Sequence, residues 1–101
     1  MKQFTLDEKT EISHAFNRGN FANAYESTSI EDFDLDDMTP HERAAFVLGF
    51  FGSYTLDEIG SDREIFDDAY FSAAGQYVVR EARYTDPRDE EYQEEMLAMN
   101  G

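Results

Sequence analysis

The chain has 101 residues, with 23 Asp and Glu against 8 Lys and Arg, a formal net charge of −15 and no cysteine. That length holds one domain, and the absence of cysteine excludes a disulfide framework and thiol chemistry. The charge disfavours direct binding to nucleic acid or to an anionic membrane, both of which this surface would repel.

Charge of this size with low mean hydropathy approaches the composition of disordered chains, but nine Phe and six Tyr supply a core. A single acidic helical domain is therefore expected over residues 1–101. The opening MKQFTLDEKTE has no apolar run of the signal-peptide kind. The expected location is the cytoplasm.

Thr5-Leu6-Asp7-Glu8 reads as a capping box, with Asp7 and Glu8 placed at the positive end of a helix. Ile12, Ala15 and Phe16 give that helix its apolar stripe. Gly19 is expected to end it, with Asn20 capping a shorter helix through Phe21, Ala24 and Tyr25. Ser27-Thr28-Ser29 reads as a loop.

Ile30 to Asp37, IEDFDLDD, carries the densest charge in the chain: Glu31, Asp32, Asp34, Asp36 and Asp37. Aspartate is poor in helix and strand interiors, so an extended loop pinned by Phe33 and Leu35 is expected.

Thr39 to Tyr54, TPHERAAFVLGFFGSY, is the most apolar run. Thr39 caps it, Pro40 takes the first helical position and Glu42 completes a capping box. Apolar side chains fall on nearly every face, so the helix should be buried on most sides. It is too short to cross a membrane, which takes about 20 apolar residues. Gly49 and Gly52 cost roughly 1 kcal/mol each against alanine in a helix, and close approach of a neighbouring helix would account for them.

Thr55-Leu56-Asp57-Glu58 repeats the start of the first helix, and Ser61 with Glu64 forms another capping box. Ile65, Phe66, Ala69, Tyr70, Ala73, Tyr77 and Val78 then keep helical spacing over three to four turns. Asp86-Pro87 opens a last helix, Pro87 to Met99, with Tyr92, Met96 and Met99 on one side and Glu90, Glu91, Glu94 and Glu95 on the other. The fold predicted is all-α, a compact bundle of four to five short helices around the central apolar helix 39–54.

Motifs for chemistry are sparse. Asp32-x-Asp34-x-Asp36 opens like a calcium loop, but Asp37 and Arg43 stand where an EF-hand needs glycine and glutamate. Glu11-x-x-His14 has di-iron spacing, but such bundles need the motif twice, and no Glu lies three before His41, the other histidine. No nucleophile motif and no glycine-rich phosphate loop is present. The expectation is no enzyme, with no catalytic residue, cofactor or metal assigned.

The acidic surface carries the functional reading. Glu64/Asp68, Glu90/Glu94 and Glu91/Glu95 place like charges four residues apart, which costs a few tenths of a kcal/mol each. A sequence selected only for solubility could place lysine partners at these positions, and this one does not. Carboxylates one helical turn apart lie about 5 to 6 Å apart, near the spacing of phosphates along a nucleic-acid strand. The partner-binding candidates are Glu31, Asp32, Asp34, Asp36, Asp37, Asp57, Glu58, Glu64, Asp67, Asp68, Glu90, Glu91, Glu94 and Glu95.

In size, charge and acid distribution (IEDFDLDD, the segment Asp57 to Asp68, and DPRDEEYQEE) the chain resembles the small acidic cysteine-free anti-defence proteins of phages and mobile elements. These are the DNA-mimic antirestriction and anti-CRISPR classes. The resemblance implies an inhibitor of a basic host protein or nucleoprotein complex, a CRISPR effector or restriction system, and carries no catalytic residues across. Two other readings stand beside it. One is an acidic adaptor or regulatory subunit working through a hydrophobic contact; the other is a metal-dependent hydrolase using the Asp32 to Asp37 cluster. Homodimer formation is left open.

Overall fold

The computed structural model describes residues 3–25 and 29–81. Among them every regular element is helical: α1 (Leu6–Tyr25), two 3₁₀ turns (Ile30–Asp32 and Leu35–Asp37), α2 (Pro40–Phe50), α3 (Leu56–Ile59), a 3₁₀ turn (Gly60–Asp62), α4 (Arg63–Phe71) and α5 (Ala73–Glu81). The all-α expectation holds. The predicted helix Pro87 to Met99, with Glu90, Glu91, Glu94 and Glu95, lies outside the described residues.

Three of the predicted helix starts are found, two with the full capping box and the one at Thr39 with only its first half, since Glu42 Oε1 takes the Thr39 hydroxyl and not its backbone N–H. Thr5 N–H donates to Glu8 Oε1 at 3.0 Å, and Glu8 N–H donates back to Thr5 Oγ1 at 3.1 Å. Thr55 and Glu58 make the same reciprocal pair. Thr39 Oγ1 accepts from Glu42 N–H, with Pro40 at the first helical position. Each satisfies backbone donors that a helix start leaves unpaired.

α2 is the centre of the molecule. Ala44 through Phe50 are all buried, and α1, α4 and α5 pack around them. Phe50, Phe51, Phe66, Ile12, Ile30, Leu48, Val47 and Val78 are the largest fully enclosed side chains. Burying each contributes roughly 1.5 to 3 kcal/mol before entropy is counted. Their rings meet edge to face: Phe50 with Phe51 at 5.1 Å and Phe51 with Phe66 at 6.3 Å between centroids.

The structure corrects four expectations. Gly19 does not end the first helix; α1 continues through it to Tyr25, with Ile12, Ala15, Gly19 and Ala22 forming its buried stripe. Gly19 is needed for packing. A Cβ there would stand 2.1 Å from the Phe46 carbonyl oxygen of α2, and one on Gly49 would stand 2.1 Å from the Phe16 carbonyl oxygen of α1. The two glycines let the backbones of α1 and α2 touch, as expected of Gly49 and not foreseen for Gly19.

The central helix stops at Phe50 instead of reaching Tyr54. Gly52 N–H bonds Gly49 O at 3.2 Å and Tyr54 N–H bonds Phe51 O at 3.0 Å, so the chain turns and frees Thr55 to cap α3. Tyr54 remains attached to α1 through Asn23 Nδ2, which donates to its hydroxyl at 2.8 Å.

The predicted helix from Ser61 to Val78 is two helices. α4 begins at Arg63, beyond the 3₁₀ turn that contains Ser61, and no side-chain cap starts it. It breaks at Ser72, whose extended backbone leaves the helix. Ser72 Oγ donates to Ala69 O at 2.7 Å and accepts from Gly75 N–H at 2.9 Å, joining the end of α4 to the start of α5.

The acidic segment is not extended. Ser29 Oγ accepts from Glu31 N–H, Phe33 N–H bonds Ile30 O at 3.3 Å, and Met38 N–H bonds Leu35 O at 3.2 Å, making two short turns. Ile30 is buried, and Phe33 and Leu35 are half-buried against the core, as the pinning role of Phe33 and Leu35 requires.

Candidate partner interface

The turns from Ile30 to Asp37 divide their side chains by chemistry. Phe33 packs on Phe46 at 5.2 Å and on Phe50 at 5.9 Å. Glu31, Asp32, Asp34, Asp36 and Asp37 all face solvent. Asp34 shares a side-chain hydrogen bond with Asp37 and sits in that group's field, and together these hold its carboxyl above the usual carboxylate range. The upward shift reports two carboxyl groups held within hydrogen-bonding reach of each other on a short turn, with their like charges adding to it.

α4 brings a second set to the same face. A groove of about 420 Å³ runs between the second turn, α2 and α4. Leu35, Val47 and Ile65 contribute apolar lining, and Asp36, Asp68 and Arg43 contribute charge. Glu64, one turn before Asp68 on α4, is exposed. Thus Asp36 and Asp68, distant in sequence, border one groove.

Other candidates are placed differently. Asp57 and Glu58 are exposed on α3 and do not line this groove. Glu58 Oε1 accepts from Thr55 N–H and from Thr55 Oγ1 at 3.2 and 3.1 Å, so it serves the capping box. Asp67 is half-buried and accepts from Arg63 Nε at 3.2 Å, which offsets part of its charge. Glu90, Glu91, Glu94 and Glu95 fall outside the described residues.

Two features escaped the sequence reading. Glu11 does not work with His14, which is exposed on α1. It reaches instead across to α2, where Glu11 Oε2 lies 2.5 Å from His41 Nε2. Nothing local signals a pair thirty positions apart. The second feature is aromatic. Phe21 and Tyr25 on α1 are 54% and 78% exposed with ring centroids 4.9 Å apart. The expected helix through Phe21, Ala24 and Tyr25 placed these rings one turn apart but gave no sign that both stay exposed.

Among the described residues no helix is long and apolar enough to cross a membrane. No protein-family model matches the chain, and comparisons with curated proteins and with solved structures likewise give no match.

Proposed function

We propose that this chain is an acidic inhibitor that occupies the nucleic-acid-binding surface of a basic host defence protein or nucleoprotein complex, a CRISPR effector or restriction system. Its carboxylates would stand where that surface takes phosphates. The observation that carries the reading is the division within Ile30 to Asp37: Ile30, Phe33 and Leu35 hold the segment to the core, while Asp34, Asp36 and Asp37 face water, with Asp34 in the field of Asp37. Among the described residues these three carboxylates form no ion pair.

The mechanism is competition. Arginine and lysine of the target make charge-assisted hydrogen bonds to the carboxylates, and the summed field speeds encounter. Asp36 and Asp68 along one groove give that field a defined face. In this reading the chain is not an enzyme, touches neither nucleic acid nor membrane, and acts in the host cytoplasm.

The test uses two sets of amide replacements, which preserve size while removing charge. Asp32, Asp34, Asp36 and Asp37 to Asn should abolish binding to such a target, with a wild-type affinity that falls steeply as salt rises. Glu90, Glu91, Glu94 and Glu95 to Gln should have the smaller effect. If both variants bind as wild type, or if target and nucleic acid bind together without penalty, the reading is wrong.

A second reading is favoured by one observation, the exposed Phe21–Tyr25 pair beside a groove of about 300 Å³ lined by Asn17, Arg18, Phe33 and Phe46. An adaptor would use this face, with weak salt dependence and loss of binding in Phe21→Ser.

A further inference from the structure

We propose that Glu11, His41 and Glu42 form a binding site for a zinc-like divalent cation that clasps α1 to the first turn of α2. Three potential ligand atoms, a carboxylate oxygen from Glu11, an imidazole nitrogen from His41 and a carboxylate oxygen from Glu42, all lie within 4.8 Å of one another. They come from two helices, so the set is not a by-product of one helix surface.

The donor chemistry selects the ion. One imidazole with two carboxylates suits zinc and its neighbours among the transition metals, whereas magnesium and calcium favour all-oxygen sets. Zinc bonds nitrogen and oxygen at about 2.0 to 2.2 Å. Ligand atoms around it in a tetrahedron are therefore about 3.3 Å apart. Glu11 Oε2 and His41 Nε2, now 2.5 Å apart, would open by about 0.8 Å to admit the ion, and the half-buried Glu42 carboxylate would move in from within 4.8 Å.

The surroundings support these ligands. The His41 side chain is 14% exposed, and its ring packs beside the buried Phe4 at 6.4 Å between centroids, which limits its rotation. Thr39 Oγ1 lies 3.4 Å from His41 Nδ1 and 3.3 Å from His41 Nε2, and it donates to Glu42 Oε1 at 2.7 Å. The hydroxyl sits beside the edge of the ring that carries both nitrogens, and its bond to Glu42 holds that carboxylate close to the imidazole. The chain's net charge of −15 raises the local concentration of any cation. Three protein ligands leave a fourth position for water, and no reaction is assigned to it.

This site shares no residue with the proposed acidic interface, so either can fail alone. The experiment is calorimetric titration of zinc into chelator-treated full-length protein, in excess magnesium to saturate non-specific carboxylates. Imidazole NMR signals are followed in parallel. A single high-affinity zinc per chain is expected, with the His41 ring resonances shifting and those of His14 unchanged. His41→Ala should weaken binding by at least about tenfold, since even outer partners matter by that factor. Glu11→Gln and Glu42→Gln provide the same readout should His41→Ala fold poorly. His14→Ala should bind as wild type. Zinc that binds no better than magnesium, or equally in the Glu11 and Glu42 variants, overturns the proposal.

Discussion

At the α1–α2 crossing, main chain meets main chain: Gly19 rests on the Phe46 carbonyl and Gly49 on the Phe16 carbonyl, with apolar neighbours all around. In the turns from Ile30 to Asp37, a few apolar side chains hold the segment down and the carboxylates project away. The crossing has no slack for an added atom. The turns tolerate chemical change better, because all five of their carboxylates are exposed and none lies within the core. A chain whose acidic surface is separate from its core can keep a repulsive charge pattern that the fold itself does not require.

The largest expected effect lies at the crossing's core. Phe50→Ala should lower stability by about 3 to 5 kcal/mol in urea unfolding. Replacing Asp32, Asp34, Asp36 and Asp37 together by Asn should leave stability unchanged within about 0.5 kcal/mol or raise it. Similar losses in both would erase the contrast.

Gly49→Ala gives a sharper test, because two effects oppose. Helix propensity alone would stabilise the variant by roughly 1 kcal/mol. Overpacking against a backbone carbonyl costs about 1 to 3 kcal/mol. The second should win, since the atom struck is main chain and cannot rotate aside; a variant more stable than wild type would show that α1 and α2 can move apart freely.

Smaller effects belong to the turns. Added salt should raise the melting temperature of wild type by screening like charges, and raise that of the quadruple Asn variant less. Equal salt responses would place the repulsion elsewhere.

The smallest effect is on pH. Because the folded-state value of Asp34 lies above its ordinary one, the folded chain holds that proton more tightly than the unfolded chain. Its contribution to stability is complete below the unfolded value and is lost as pH rises through the folded value. Mild acidification from neutral pH should therefore stabilise wild type, and Asp34→Asn should lose part of that gain. An unchanged acid profile in Asp34→Asn would mean that the Asp34–Asp37 contact has no energetic weight.

Much of the fold was legible because its signals are local. Thr5 with Glu8, Thr39 with Pro40, and Thr55 with Glu58 each mark a helix start within four residues. The run from Ala44 to Phe50 announces a core helix by composition alone. Gly19 misled because a glycine that ends a helix and one that admits a neighbour look alike in sequence. Ser72 was missed because Ile65, Phe66, Ala69 and Ala73 keep helical spacing across the break, and a single serine hydroxyl bonding both ways redirects the chain. At the candidate interface, the acid-rich turns were visible as composition. The sharing of one groove by Asp36 and Asp68, and the contact of Glu11 with His41, arise from tertiary packing and have no signature along the chain.

The glycine crossing also sets alignment. Sliding α1 one turn along α2 would bring Ala15 or Asn23 to the place of Gly19, and either carries a Cβ into space that the Phe46 carbonyl fills. The helices therefore have one register, dictated by backbone rather than by matching of charged side chains. A surface stripped of carboxylates, or given new ones, would leave that register as it is.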